Sequence, residues 1–168
     1  MHPRLWLVVT LLAAALPIGA CSARSSTTAP GYEVRDRQDR PVRIDDLSGA
    51  PVLITSWATW CRECKTLLPA LERLHRRQAQ HGVQVVAVNV NAPGSESEVE
   101  ELERQYSMSM PRWRDVDNDF TQVFRSRGVP TSVLLDEDGL VVRRWPGGIP
   151  LDDAGTGRLL RRLLAEDR

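Results

Sequence analysis

Residues 57–65 read Trp57-Ala58-Thr59-Trp60-Cys61-Arg62-Glu63-Cys64-Lys65 and stand at a junction. Upstream, residues 52–57 form a continuous apolar-leaning run, β-branched in part and preceded by Pro51. That is the pattern of a strand buried on both faces. Downstream, Leu67, Leu68, Leu71 and Leu74 recur at helical spacing, which predicts a helix over 62–81, kinked at Pro69 and closed by Gly82. Two intervening residues place both cysteines in the first turn of that helix, within reach of one another. A helix N-terminus presents unpaired amides and a partial positive charge. Both stabilise a thiolate, the species that attacks a disulfide. Cys61 is therefore the expected nucleophile and Cys64 the residue that resolves the mixed disulfide. Arg62 favours the Cys61 thiolate and Glu63 opposes it.

Working outward, residues 83–90 form a second buried strand, completing a βαβ unit with a right-handed crossover. Ser95-Glu96-Ser97-Glu98 has the spacing of a capping box, so a helix is expected from there to about Tyr106. A shorter helix is expected over 117–127, with Phe120, Val123 and Phe124 inward. Residues 131–135 and 140–145 read as strands joined by the turn Asp136-Glu137-Asp138-Gly139. Leu159, Leu160, Leu163 and Leu164 mark a C-terminal amphipathic helix. Short strands around 32–34 and 42–44 precede the whole. Trp113 and Trp145 read as packing residues. The order ββ–β–α–β–α–α–β–β–α implies an α/β fold, a mixed central β-sheet with helices on both faces.

Residues 1–20 do not read as part of this domain. A short basic start, Met1-His2-Pro3-Arg4, precedes an almost wholly apolar run over 5–19, the pattern of an export signal. Ile18-Gly19-Ala20-Cys21 resembles the bacterial lipobox, which implies cleavage before Cys21 and acylation of its thiol. Residues 22–31 are small, polar and punctuated by Pro and Gly, the composition of a flexible tether. The expected organisation is a lipoprotein signal peptide (1–20), a lipidated cysteine with its tether (21–31) and one domain (32–168). Export places that domain where disulfides form and persist.

Composition narrows the function. With 22 basic and 22 acidic residues the net charge is zero, which disfavours non-specific nucleic-acid binding. Three cysteines cannot pair completely within one chain. Cys21 is accounted for by lipidation, which leaves one pair. Two ligands are too few for zinc, and His75 lies 11 residues beyond Cys64, about 16 Å along a helix. A purely structural bridge over two residues constrains little chain entropy. The acidic turn 136–139 lacks the later ligands of a calcium loop. No metal site and no cofactor are expected, because the cysteine pair is itself a redox centre.

The segment 57–65, with Pro69 five residues after Cys64, resembles the active-site segment of the thioredoxin fold. Gly128-Val129-Pro130-Thr131 resembles that fold's cis-proline loop. The opening hairpin and the helical insert over roughly 93–110 are similar to the TlpA/ResA-like branch of membrane-tethered thiol-disulfide oxidoreductases. The resemblance spans about residues 32–165. It implies a cis Pro130 facing the cysteine pair, a Val129 whose backbone meets an extended substrate, and Trp57 and Trp60 shaping the site, with Trp60 the more exposed. It also implies a protein disulfide reductase of the cell envelope. That protein would be a monomer facing the periplasm or cell exterior, recharged by a membrane electron-donating partner, with cytochrome c maturation as one role. An oxidase or isomerase on the same fold is the alternative within enzymes, and a non-catalytic binding or redox-sensor module the alternative outside them. Position 55, where thioredoxin carries a buried acid, is Thr55, and residues 89–93 contain no carboxylate.

Overall fold

The computed structural model describes residues 31–165, apart from 48, 78, 79 and 81, with the backbone alone for 163–165. The signal, Cys21 and all of the tether but Gly31 lie outside the described residues. Along the chain run β1 (Glu33–Arg35), β2 (Pro41–Arg43), a 3-10 turn (Ile44–Leu47), β3 (Val52–Trp57) and α1 (Arg62–Arg76). There follow β4 (Gln84–Asn89), α2 (Glu96–Gln105), β5 (Arg112–Arg114), α3 (Asp119–Val123), β6 (Thr131–Leu135), β7 (Val141–Pro146) and α4 (Ala154–Ala165).

The seven strands form one sheet in the order β2-β1-β5-β4-β3-β6-β7. β3 pairs parallel with β4, and β4 with β5, while β6 runs antiparallel to both β3 and β7. This is the mixed α/β sheet that the alternation of elements implied. Every residue of β3 and β6 is buried, as a central position requires, whereas in the edge strand β7 only Trp145 is buried.

Side-chain alternation along the strands divides the core in two. Leu53, Val85, Ala87 and Leu134 point to one face, where they meet Leu68 and Leu71 of α1, Val99 and Leu102 of α2, and Leu159 and Leu160 of α4. Ile54, Val86, Val88, Val133 and Leu135 point to the other, against Tyr32, Phe120 and Phe124. Tyr32 meets both phenylalanine rings edge-on. Helices thus cover both faces.

Four local expectations are corrected. β5 is a strand with no sequence pattern of its own: with Trp113 as its one apolar residue between two arginines it has no hydrophobic run, and it forms because β4 offers it a parallel edge. α1 stops at Arg76, where the Arg77 N–H turns back to the Leu74 carbonyl at 3.0 Å. Gly82, at φ +72°, lies beyond that end, two residues before β4. Ser95 flanks α2 but caps nothing with its side chain, because its φ/ψ of −102°/13° is not the extended geometry a capping hydroxyl needs. The helix expected over 117–127 shrinks to α3. Its first amides, Asp119 and Phe120, are taken by the Asp115 carboxylate at 3.0 and 2.7 Å, and Arg125, at φ +50°, lies beyond its end.

Candidate active site

β3 and β4 end, and β6 begins, at the same end of the sheet. Ser56 of β3 stands opposite Thr131 of β6, and the Thr131 N–H donates to Ser56 Oγ at 3.1 Å. The segment leaving β3 therefore runs beside the segment entering β6. The first carries residues 57–61 and the second Gly128-Val129-Pro130.

Cys61 is the N-cap of α1, in extended geometry, and Cys64 sits in its first turn. The two are joined in a disulfide with Cα atoms 5.2 Å apart. The Cys64 N–H donates to Cys61 Sγ at 3.0 Å, and the Cys61 N–H is held by the Ala58 carbonyl at 3.1 Å. An orphan amide of the helix start thus points at the first sulfur, where negative charge develops when the bond opens. Both cysteines are buried. Arg62 and Glu63 are exposed and form no ion pair among the described residues.

The tryptophans divide as their environments dictate. Trp57 ends β3 inside the core, while Trp60 is 70% exposed beside Cys61. The Val129–Pro130 bond is cis, Val129 is half-buried and Pro130 buried. Pro130 is braced from behind: its carbonyl accepts from the Gly147 N–H at 2.8 Å. A Cβ placed on Gly148 would stand 2.6 Å from Leu67 Cδ2 and 3.3 Å from Pro130 Cγ. The loop after β7 therefore touches both α1 and the cis-proline. Between Trp60 and Val129 lies a cavity of about 150 Å³, lined also by Ser56, Val90, Phe120 and Ser126.

Residues 89–93 hold no acid, and the side-chain amides there have a structural task that the sequence does not spell out. Asn91 Oδ1 accepts from the Thr59 N–H and from Asn89 Nδ2, each at 2.9 Å, and Asn91 Nδ2 donates to Thr59 Oγ1 at 2.7 Å. Thr59 Oγ1 in turn donates to Glu98 of α2 at 3.4 Å. The loop before Cys61 is thereby pinned to β4 and to the insert helix. The sequence signal was present in the polar Asn89-Val90-Asn91 at the end of an apolar strand. Thr55 is buried with its hydroxyl 2.8 Å from that of Ser132, so a neutral pair occupies the position of thioredoxin's acid. Among the described residues no three His, Cys, Asp or Glu side chains converge as metal ligands would.

Comparison with known proteins agrees with this geometry. The AhpC/TSA family model matches residues 26–144. The thiol-disulfide oxidoreductase ResA of Halalkalibacterium halodurans is 28% identical over 127 residues, covering 76% of this chain and 71% of that protein. ResA of Bacillus subtilis is 28% identical over 125 residues, 74% of this chain and 69% of the relative. Among solved structures, a DsbE-type thiol:disulfide interchange protein from Chlorobium tepidum superposes with a TM-score of 0.73 at 24% identity, over 83% of this chain and 96% of that one. The cysteine pair at the head of α1 and the cis Val129–Pro130 bond both fall inside the matched span, and the chain belongs to the AhpC/TSA family of thioredoxin-fold proteins.

Proposed function

We propose that this chain is an envelope thiol-disulfide oxidoreductase that reduces disulfides of exported proteins and is held to the membrane by a lipid on Cys21. The observation that carries the reading is the Cys61–Cys64 bridge across the start of α1, with a helix amide donated to Cys61 Sγ. In the reduced protein the Cys61 thiolate attacks one sulfur of a substrate disulfide. The substrate's other sulfur leaves as a thiolate and takes a proton. The Cys64 thiolate then attacks Cys61 Sγ, releasing the second substrate thiol and leaving the bridge seen here. Two electrons pass to the substrate, and a membrane electron-donating partner returns them.

The rest of the edge fits this use. An extended substrate can lie along the backbone of Val129, as in strand addition. The cavity between Trp60 and Val129 has room for one side chain next to the substrate cysteine. The family's envelope members make an apocytochrome c one candidate substrate. Among the described residues no helix is long and apolar enough to cross a membrane, so membrane attachment rests on the N-terminal segment.

Trapping tests the reaction. Cys64→Ser should accumulate mixed disulfides through Cys61, and Cys61→Ser should accumulate none and lose insulin-reducing activity. A Cys64→Ser protein that captures no partner, together with a wild type that does not reduce insulin, would favour a binding module. Direction follows from the reduction potential: about −270 mV supports a reductase, whereas about −120 mV marks an oxidant. In the reduced protein the Cys61 thiolate should form below the free-cysteine pKa of about 8.5. Radiolabelled palmitate incorporation that survives Cys21→Ser would remove the anchor.

A further inference from the structure

The outward surfaces of α1 and α4 carry charge of one sign. On α1 and at its C-cap, Arg62, Lys65, Arg73, Arg76 and Arg77 recur at helical spacing and fall in a single stripe. Leu68, Leu71 and Leu74 lie buried on the opposite side of the helix. On α4, Arg158, Arg161 and Arg162 form a second stripe, opposite the buried Thr156 and the core-packed Leu159 and Leu160. Both helices pack on the same face of the sheet, so both stripes point away from it on one side of the molecule. All eight cations are exposed.

Few acids offset them. Arg76 is paired with the buried Glu72 at 2.9 Å, and Arg158 lies near Asp153 at the start of α4. Glu63 and Asp152 are the other exposed acids on these segments. Arg62, Lys65, Arg73, Arg77, Arg161 and Arg162 form no ion pair among the described residues. The third helix of this face is the reverse: α2 exposes Glu96, Glu98, Glu100 and Glu101 against Arg104. In a chain of zero net charge, eight of the 22 basic residues lie on this one surface.

We propose that the α1–α4 surface docks on anionic lipid headgroups. Three observations select that occupant. The α1 stripe is spread over about 22 Å of helix, which suits a field of headgroups and not one bound anion. Among the described residues the exposed large apolar ones are Trp60, Val116 and Val142, none of them on either stripe, so the described part of the surface lacks the apolar centre of a protein interface. The tether of 22–31 reaches at most about 35 Å, which keeps the domain within contact of any membrane that holds Cys21. This last argument rests on the lipid-anchor reading. The cysteine pair lies at the N-terminal end of the α1 stripe, with Arg62 between its two residues, so docking sets the pair at the membrane plane.

Lys65, the sole lysine of the chain, makes the test clean. The full acylated chain is reconstituted in vesicles of phosphatidylcholine alone or of two parts phosphatidylcholine to one part phosphatidylglycerol. Acylation of Lys65 by a membrane-impermeant succinimidyl ester is followed by peptide mass. Lys65 should react about threefold or more slowly on the anionic vesicles, and the protection should vanish in high salt. It should also vanish in the triple variant Arg158→Glu, Arg161→Glu, Arg162→Glu, which leaves α1 and the cysteines untouched. Equal rates on both vesicles overturn the proposal. Protection in native envelope membranes but not on the anionic vesicles overturns it in favour of an acidic protein. Flotation on pure phosphatidylcholine reports the anchor separately: a chain that does not float there lacks the lipid, and its protection on anionic vesicles still decides the docking face.

Discussion

Asn91 ties the loop in front of the nucleophile to the sheet. Its carboxamide uses both oxygen lone pairs and one N–H on Thr59 and Asn89, all buried. Truncation at this position leaves the Thr59 amide and the Asn89 donor without partners in a region water does not reach. Asn91→Ala should therefore cost about 1–3 kcal/mol, read as a lower urea midpoint of the oxidised protein. A second buried polar residue works in the same way on the other face. Asp115 gathers the Tyr32 hydroxyl at 3.0 Å and the two leading amides of α3, and burial beside this carboxylate pushes the Tyr32 phenol far up, so it stays a donor. Neither role can be read from the sequence, where Asn91 closes the polar Asn89-Val90-Asn91 and Asp115 is one polar letter in a loop. What made them matter is the company brought to them from 32 and 83 positions away.

At the scale of elements, α1 is fastened to the chain after α2 by one carboxylate. Glu72 is buried and accepts from the Ser109 N–H at 2.9 Å, the Met110 N–H at 3.2 Å, the Ser109 hydroxyl and Arg76. Although burial opposes ionisation, these donors hold its pKa down to about 2. A carboxylate depressed in the folded state stabilises fully above its unfolded pKa and loses that contribution as pH falls through the folded value. The contribution, on the order of 3 kcal/mol, should thus fade between about pH 4.5 and pH 2. Glu72→Gln should lower the urea midpoint at pH 6 and flatten its decline towards pH 2.5. Glu103 of α2 has the opposite sign. Burial raises its pKa in spite of Arg112, so it subtracts stability as pH rises through its titration. The helix itself was legible from four leucines, but the carboxylate was not: Glu72 reads as one more solvated charge until the Ser109 loop closes over it.

At the scale of the molecule, the sheet is unevenly held. β3, β4 and β6 are joined by five or six paired positions and filled on both faces, whereas β1 meets β5 at the single pair Arg35–Arg114. The hairpin of β1 and β2 should therefore open on its own. Amides of residues 33–43 should exchange with deuterium through local fluctuations, and those of β3, β4 and β6 only with global unfolding. Native-state exchange that ranks the hairpin with the central strands would contradict this. The same contrast explains what the sequence disclosed. Long apolar runs and the leucine period revealed the central strands and α1, and Cys61-Arg62-Glu63-Cys64 with Val129-Pro130 marked the reactive edge. β5 and the ends of the short helices were hidden, because their structure comes from a neighbour's hydrogen bonds and not from any pattern of their own.

Gly148 gives the cis-proline loop an uneven tolerance to mutation. It combines φ +92° with contact on both sides, from Leu67 and from Pro130, whereas Gly147 beside it has φ +84° and open space around its missing Cβ. In a saturation library, position 147 should accept Asn and lose little. At position 148 even Ala should cost about 1–3 kcal/mol, because it must strain the backbone and displace the Leu67 side chain at once. Two identical letters side by side would then record different constraints, the first a matter of backbone conformation and the second a matter of clearance.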